Sequence, residues 1–151
     1  MKPLTGTDTL RRADKSRIIS CLDYLEKELP FLAEYEREVN WQVYQTERSK
    51  RLEIERWAES LINATLDICK MLLAVGDEEV PETSREILFK IGSFIFDMEA
   101  KAEAFSELAR IRNTLAHRYL DMKWGDIQRF MQIIPELYPL FLSFVKAEIE
   151  K

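Results

Sequence analysis

The feature that most constrains this chain is its unbroken helical periodicity, written with almost no glycine. Only 4 glycines and 5 prolines occur among 151 residues. Apolar side chains instead recur every three or four positions, the spacing of one face of an α-helix. The clearest run reads from Asn40, a candidate N-cap, to Gly76, a candidate C-terminal stop. Its stripe is Ile54, Trp57, Ala58, Leu61, Ile62, Leu66, Ile68, Cys69 and Leu72. A helix of that length needs a partner along its side, so it is expected as one arm of a long helical hairpin. The more polar stretch from Gln45 to Arg56 is expected to protrude.

The same reading yields four further segments. A first helix begins after Asp14 with Ile18, Ile19, Leu22, Leu25 and Leu29, and bends or ends at Pro30 before Phe31, Leu32 and Tyr35. Thr83 and Glu86 form a T-x-x-E capping box ahead of Ile87, Leu88, Ile91, Phe94 and Ile95. Asp97 is the candidate cap of the next helix, which carries Ala104, Phe105, Leu108, Ile111 and Leu115. Asp121 is the candidate cap of the last, which contains Ile127, Phe130, Ile133 and Ile134 and is expected to kink at Pro135 or Pro139. The expected fold is all-α: an antiparallel bundle of about five helices with a kinked C-terminal helix, spanning 1–151 as one domain.

Composition narrows the function classes. No apolar run is long enough to cross a bilayer, and the first fifteen residues lack an apolar stretch of the secretory kind, so a cytoplasmic protein is expected. Cys21 and Cys69 stand in no metal-ligand spacing and are expected as reduced apolar fillers. The single histidine excludes a histidine-rich metal site, and no metal or cofactor is expected. A net charge of −5 argues against a surface that coats nucleic acid throughout. Charge is nevertheless uneven: Arg110, Arg112, Arg118 and Lys123 face only Asp121 within one stretch, a local basic patch suited to a phosphate or a short RNA.

That stretch also holds the groups with chemistry. At about 100° per residue, Ala104, Leu108, Ile111 and Leu115 share a buried side, while Ser106, Arg110, Asn113 and His117 fall on nearly the opposite one. His117 is thus turned away from the core. Imidazole titrates near neutral pH and suits proton transfer. Asn113, four residues earlier, is placed to orient the imidazole or a bound ribose. Arg112 offers a planar cationic fork for phosphate. Such a set can cleave RNA without a metal, with the ribose 2′-hydroxyl attacking the adjacent phosphate. Trp124 and Tyr138 are aromatics able to stack on a base, although core packing is the commoner use.

The stretch RNTLAHRYLDMKWGDI resembles the signature of HepT-like proteins of the HEPN family: Arg112, Asn113, three residues, His117, one residue, Tyr119. The segment ERWAESLINATLDICKMLL resembles that family's long second helix, with Arg56 and Asp67 at matching positions and Asn63 where relatives often hold Glu or Gln. The resemblance implies a HEPN-like bundle and a toxin of a toxin–antitoxin pair. It implies a homodimer through the motif helices, with Arg112 and His117 as the catalytic residues of a metal-independent endoribonuclease. Asn113 would support or orient the substrate, and Arg110, Arg118 and Lys123 would contact RNA or phosphate. A minimal nucleotidyltransferase antitoxin would silence it by transferring AMP to Tyr119. The alternative is a non-catalytic HEPN nucleotide-binding or scaffold subunit of such a nucleotidyltransferase. A third reading makes the polar motif only an interface of a helical dimer.

Overall fold

A computed structural model describes residues 12–76, 78–117 and 123–151, and among them every regular element is helical. Seven helices follow in order: α1 (Arg12–Glu28), α2 (Phe31–Glu38), α3 (Trp41–Thr46), α4 (Arg48–Val75), α5 (Ser84–Ile95), α6 (Glu99–Ala116) and α7 (Trp124–Ile149). The all-α bundle is as expected. The count exceeds five because the first two expected segments are each divided.

The first division falls where proline demands it. Pro30 forms the N-cap of α2 with φ −60°, and the chain restarts at Phe31. The end of α1 is closed from outside: the Trp57 Nε1–H donates to the Glu28 carbonyl at 3.1 Å, supplying a partner that a helix end lacks. The second division corrects the sequence reading. Asn40 is an N-cap, its side chain accepting from the Val43 N–H at 2.9 Å, but it opens the short α3 and not the long helix. Glu47 is extended, and α4 begins only at Arg48.

The reason for that break lies in Tyr44 and Glu55. Eleven residues along a continuous helix would set them about 16 Å apart on the axis. In the folded chain the Tyr44 hydroxyl donates to the Glu55 carboxylate. Only by folding α3 back beside α4 does that bond form. Arg51 seals the fold-back, donating from Nη1 to the carbonyls of Tyr44 (3.1 Å) and Gln45 (3.2 Å). Within the stretch 45–56, expected to protrude, Ile54 and Glu55 are buried while residues 45–49 stay exposed, so it packs at its second half only.

Helix α4 is the axis of the bundle. It buries Trp57, Ala58, Leu61, Ile62, Ala64, Thr65, Leu66, Ile68, Cys69, Leu72 and Leu73, a face far wider than the one stripe of a surface helix. Paired contacts give the directions of its neighbours. Glu28 meets Trp57 and Tyr35 meets Glu53, so the chain from α1 returns antiparallel through α4 as the expected hairpin. Gly92 approaches Ala102 while Ser84 approaches Arg112, so α5 and α6 are antiparallel. Glu107 pairs with Arg129 and Arg110 with Asp126, so α6 and α7 are too.

Three smaller points complete the frame. Thr83 caps α5 as expected, accepting from the Glu86 N–H at 3.2 Å. Asp97 does not cap α6: Met98 holds that position without a side-chain bond, and the exposed Asp97 carboxylate lies 3.9 Å from Lys101 instead. The candidate cap Asp121 lies outside the described residues. Helix α7 stays one helix through Pro135 and Pro139, each of which withdraws one backbone donor from its ladder. Both cysteines are free, and burial drives the Cys69 thiol upward from its ordinary pKa.

Candidate active site

Arg112, Asn113 and His117 lie at the C-terminal end of α6, which α4, α5 and α7 hold in place. Leu108, Ile111 and Leu115 are fully buried in the core, and Phe105 joins them. Ala102, Ser106 and Ala109 form a second buried row on the side where α5 comes close. There a Cβ added to Gly92 would sit 3.1 Å from the Ala102 Cα, so the two backbones approach as only glycine and alanine permit. This second row corrects the expectation for Ser106: it is buried, its hydroxyl donating to the Glu103 carbonyl at 2.7 Å. The polar face of α6 is narrowed because α5 covers it on one side while α4 and α7 pack against the rest of the helix.

What remains open is the expected end. Asn113 and His117 are exposed, Arg112 is half-buried, and His117 is itself the C-cap of α6. The Arg112 Nη2 donates to Asn113 Oδ1 at 3.1 Å and reaches Ser84 Oγ at 3.5 Å. Asn113 thus offers its carbonyl oxygen to the guanidinium. Ser84 was not foreseen. Its signal was nonetheless present: it follows the capping residue Thr83, and an antiparallel α5–α6 pair must bring the start of α5 to the end of α6.

The outlying cations are placed differently from one another. Arg110 is exposed but engaged, its Nη1 2.7 Å from Asp126 Oδ1 and its Nη2 3.9 Å from Glu107. Glu107 in turn accepts two bonds from Arg129, each of 3.0 Å. The Arg129 hydrogen bonds hold the Glu107 carboxyl below its ordinary pKa against the opposing effect of burial. Lys123 is largely buried, and its N–H donates to the Tyr44 hydroxyl at 2.7 Å. That burial runs against a solvent-facing lysine in this chain. Arg118 and Tyr119 lie outside the described residues.

The two aromatics considered for base stacking are both packed inward. Tyr138 is buried with its hydroxyl 2.8 Å from that of Thr65, and the half-buried Trp124 lies against Tyr44 with ring centres 5.2 Å apart. Asn63 and Asp67 are exposed on α4 and line a groove shared with Ser20, Cys21 and Tyr24 of α1. Arg56 is also exposed on α4. Among the described residues no three or more His, Cys, Asp or Glu side chains are grouped to hold a metal ion. Nor, among them, is any helix long and apolar enough to cross a membrane.

A model of the family described as ribonuclease HepT-like matches residues 25–147. The chain belongs to the HepT-like family. The matched span runs from the last turn of α1 into the last turn of α7, so it includes the fold-back at Glu47 and the whole of α6. No curated protein matches the chain. For a HepT-like ribonuclease domain the open end of α6 is the place where this structure collects a cationic fork, an amide and the one imidazole.

Proposed function

We propose that this HepT-like chain is a toxin of a toxin–antitoxin pair, a metal-independent endoribonuclease that works as a homodimer in the cytoplasm. The observation that supports the reading most is the exposure of His117 beside the Arg112–Asn113 pair at the end of α6, in a chain of the ribonuclease HepT-like family. In this reading Arg112 and His117 are the catalytic residues. The ribose 2′-hydroxyl attacks the adjacent phosphorus, the 5′-oxygen leaves, and a 2′,3′-cyclic phosphate remains. His117 moves a proton at one of these oxygens, and Arg112 stabilises charge on the non-bridging ones. One imidazole serves one proton transfer at a time; a homodimer supplies two, which gives the two-fold assembly a chemical purpose.

Asn113 supports Arg112. Arg110, Arg118 and Lys123 are the further cations available to RNA, although Arg110 would first have to leave Asp126. Regulation falls to a minimal nucleotidyltransferase antitoxin. The Tyr119 oxygen attacks the α-phosphorus of ATP, pyrophosphate leaves, and the AMP ester blocks the site from two residues beyond His117. The test is expression without the antitoxin. Wild type should arrest growth, whereas His117→Ala and Arg112→Ala should not, with helicity unchanged by circular dichroism. Full toxicity from either variant would remove it from the mechanism.

The ion pair of Arg110 with Asp126 and the burial of Lys123 favour a second reading, a non-catalytic HEPN subunit that binds the nucleotidyltransferase as a scaffold. It predicts tight partner binding and no RNA cleavage even with Tyr119 unmodified by mass spectrometry.

A further inference from the structure

Arg112 carries the charge on which the proposed chemistry depends, and its own helix is not alone in holding it. The Arg112 Nη2 donates to Asn113 Oδ1 on α6 at 3.1 Å and to Ser84 Oγ on α5 at 3.5 Å. Both acceptors fall on one nitrogen. Among the described residues, nothing accepts from the Arg112 Nη1 or Nε.

Helix α5 does not need the Ser84 hydroxyl for itself. Thr83 is the N-cap and accepts from the Glu86 N–H, so the start of the helix is closed one residue earlier. Ser84 is the first residue of α5 and is half-buried. The helix that carries it is also fixed on α6 by the close approach of Gly92 to Ala102 and by the Arg85–Glu103 pair at 2.9 Å. The hydroxyl is therefore brought to Arg112 by a packed element.

An arginine side chain is long and rotamer-rich, and a group that stabilises a transition state acts best when it is held before the charge develops. Asn113 is the next residue of the chain, so by itself it ties the guanidinium only to its own turn of α6. An acceptor from a second helix fixes the guanidinium against the frame of the bundle. We infer that Ser84 is a positioning residue for the site: from α5 it holds Arg112 by Nη2 and so keeps the Nη1 and Nε hydrogens available to a phosphate. The inference rests on the ribonuclease reading for its catalytic consequence. Its structural consequence can be read without turnover, from Arg112 itself.

The experiment compares the full chain with Ser84→Ala, Ser84→Thr and Ser93→Ala. Ser93 is an exposed serine at the other end of α5, its hydroxyl donating to the Phe89 carbonyl. Two readouts are taken. One is the Arg112 Nε–H signal and its exchange with water by heteronuclear NMR, assigned by its loss in Arg112→Lys. The other is kcat and KM for RNA cleavage. Ser84→Ala is expected to move the Arg112 signal, to speed its exchange, and to lower kcat about fivefold with KM within about twofold. Ser84→Thr keeps the hydroxyl and is expected to restore both readouts. Ser93→Ala is expected to leave both at wild-type values.

An unmoved Arg112 signal in Ser84→Ala would overturn the inference, and so would a wild-type kcat. Equal losses in Ser84→Thr or in Ser93→Ala would also overturn it, because they would mark a general weakening of α5. Should Ser84→Ala fail to fold, Ser84→Gly, which also lacks the hydroxyl, is measured in its place by the same criteria. Should the wild type not cleave RNA, the ribonuclease reading fails, and the Arg112 signal alone decides whether Ser84 holds the guanidinium.

Discussion

At the scale of single residues the site is a contrast between cations held by carboxylates and polar side chains at exposed positions. Arg129 closes on Glu107 with two bonds, and Arg110 is drawn to Asp126, whereas His117 and Asn113 face outward. Replacing His117 by alanine should cost little stability, because an exposed C-cap position leaves no cavity. It should cost cleavage about 100-fold or more, the scale of general acid–base catalysis. Circular dichroism beside a cleavage assay checks both halves. The Glu107–Arg129 pair predicts the opposite pattern. Glu107 has its pKa lowered in the folded state, so its stabilisation is full above the ordinary value of 4.5 and is lost as the pH falls through the lowered one. Both partners remain about a third exposed, so the gain at neutral pH should be below about 1 kcal/mol. Melting curves of Glu107→Gln and wild type should therefore differ slightly at pH 7 and converge as the pH falls below the lowered pKa.

At the scale of elements, the α5–α6 pair holds the site, and its closeness depends on Gly92. Valine there would drive a branched side chain into the Ala102 backbone, now 3.1 Å from the position of a Cβ. Overpacking of this kind costs about 1–3 kcal/mol, so Gly92→Val should lower the melting temperature and loosen Ser84 from Arg112. Thr83→Ala removes the one side-chain cap of α5 and should cost about 1 kcal/mol on its own, read by denaturant titration. The sequence announced Thr83, because the cap and its Glu86 partner are local. It also announced the apolar stripe of α6 and the outward phase of Asn113 and His117, because helical periodicity is local too. It did not announce the break at Glu47. Nothing in the sequence around Glu47 stops a helix; Tyr44 is drawn back to Glu55, and that is a tertiary bond. Ser106 misled for a related reason: one helical phase predicts one buried face, and α6 is covered by α4, α5 and α7.

At the scale of the whole molecule, the other helices pack about α4 so that the start of α5 and the end of α6, joined by Ser84 and Arg112, form one open edge. In the proposed reading, an acidic chain of net charge −5 has to handle RNA through that edge. Association should therefore weaken steeply with salt, since phosphate contacts by arginine and lysine release counterions. The bundle, the position of the motif at a helix end and the antiparallel α1–α4 and α5–α6 pairs were all legible beforehand. The pairing of Asn113 with Arg112 and the burial of Lys123 were not, because each depends on a contact that spacing does not encode.

The account turns on whether the open end of α6 cleaves RNA unaided. The direct measurement is RNA cleavage by the purified, partner-free chain in EDTA, with Tyr119 shown to be unmodified, beside His117→Ala. Cleavage by the wild type and none by the variant is the predicted result. No cleavage by either, or equal cleavage by both, would contradict it.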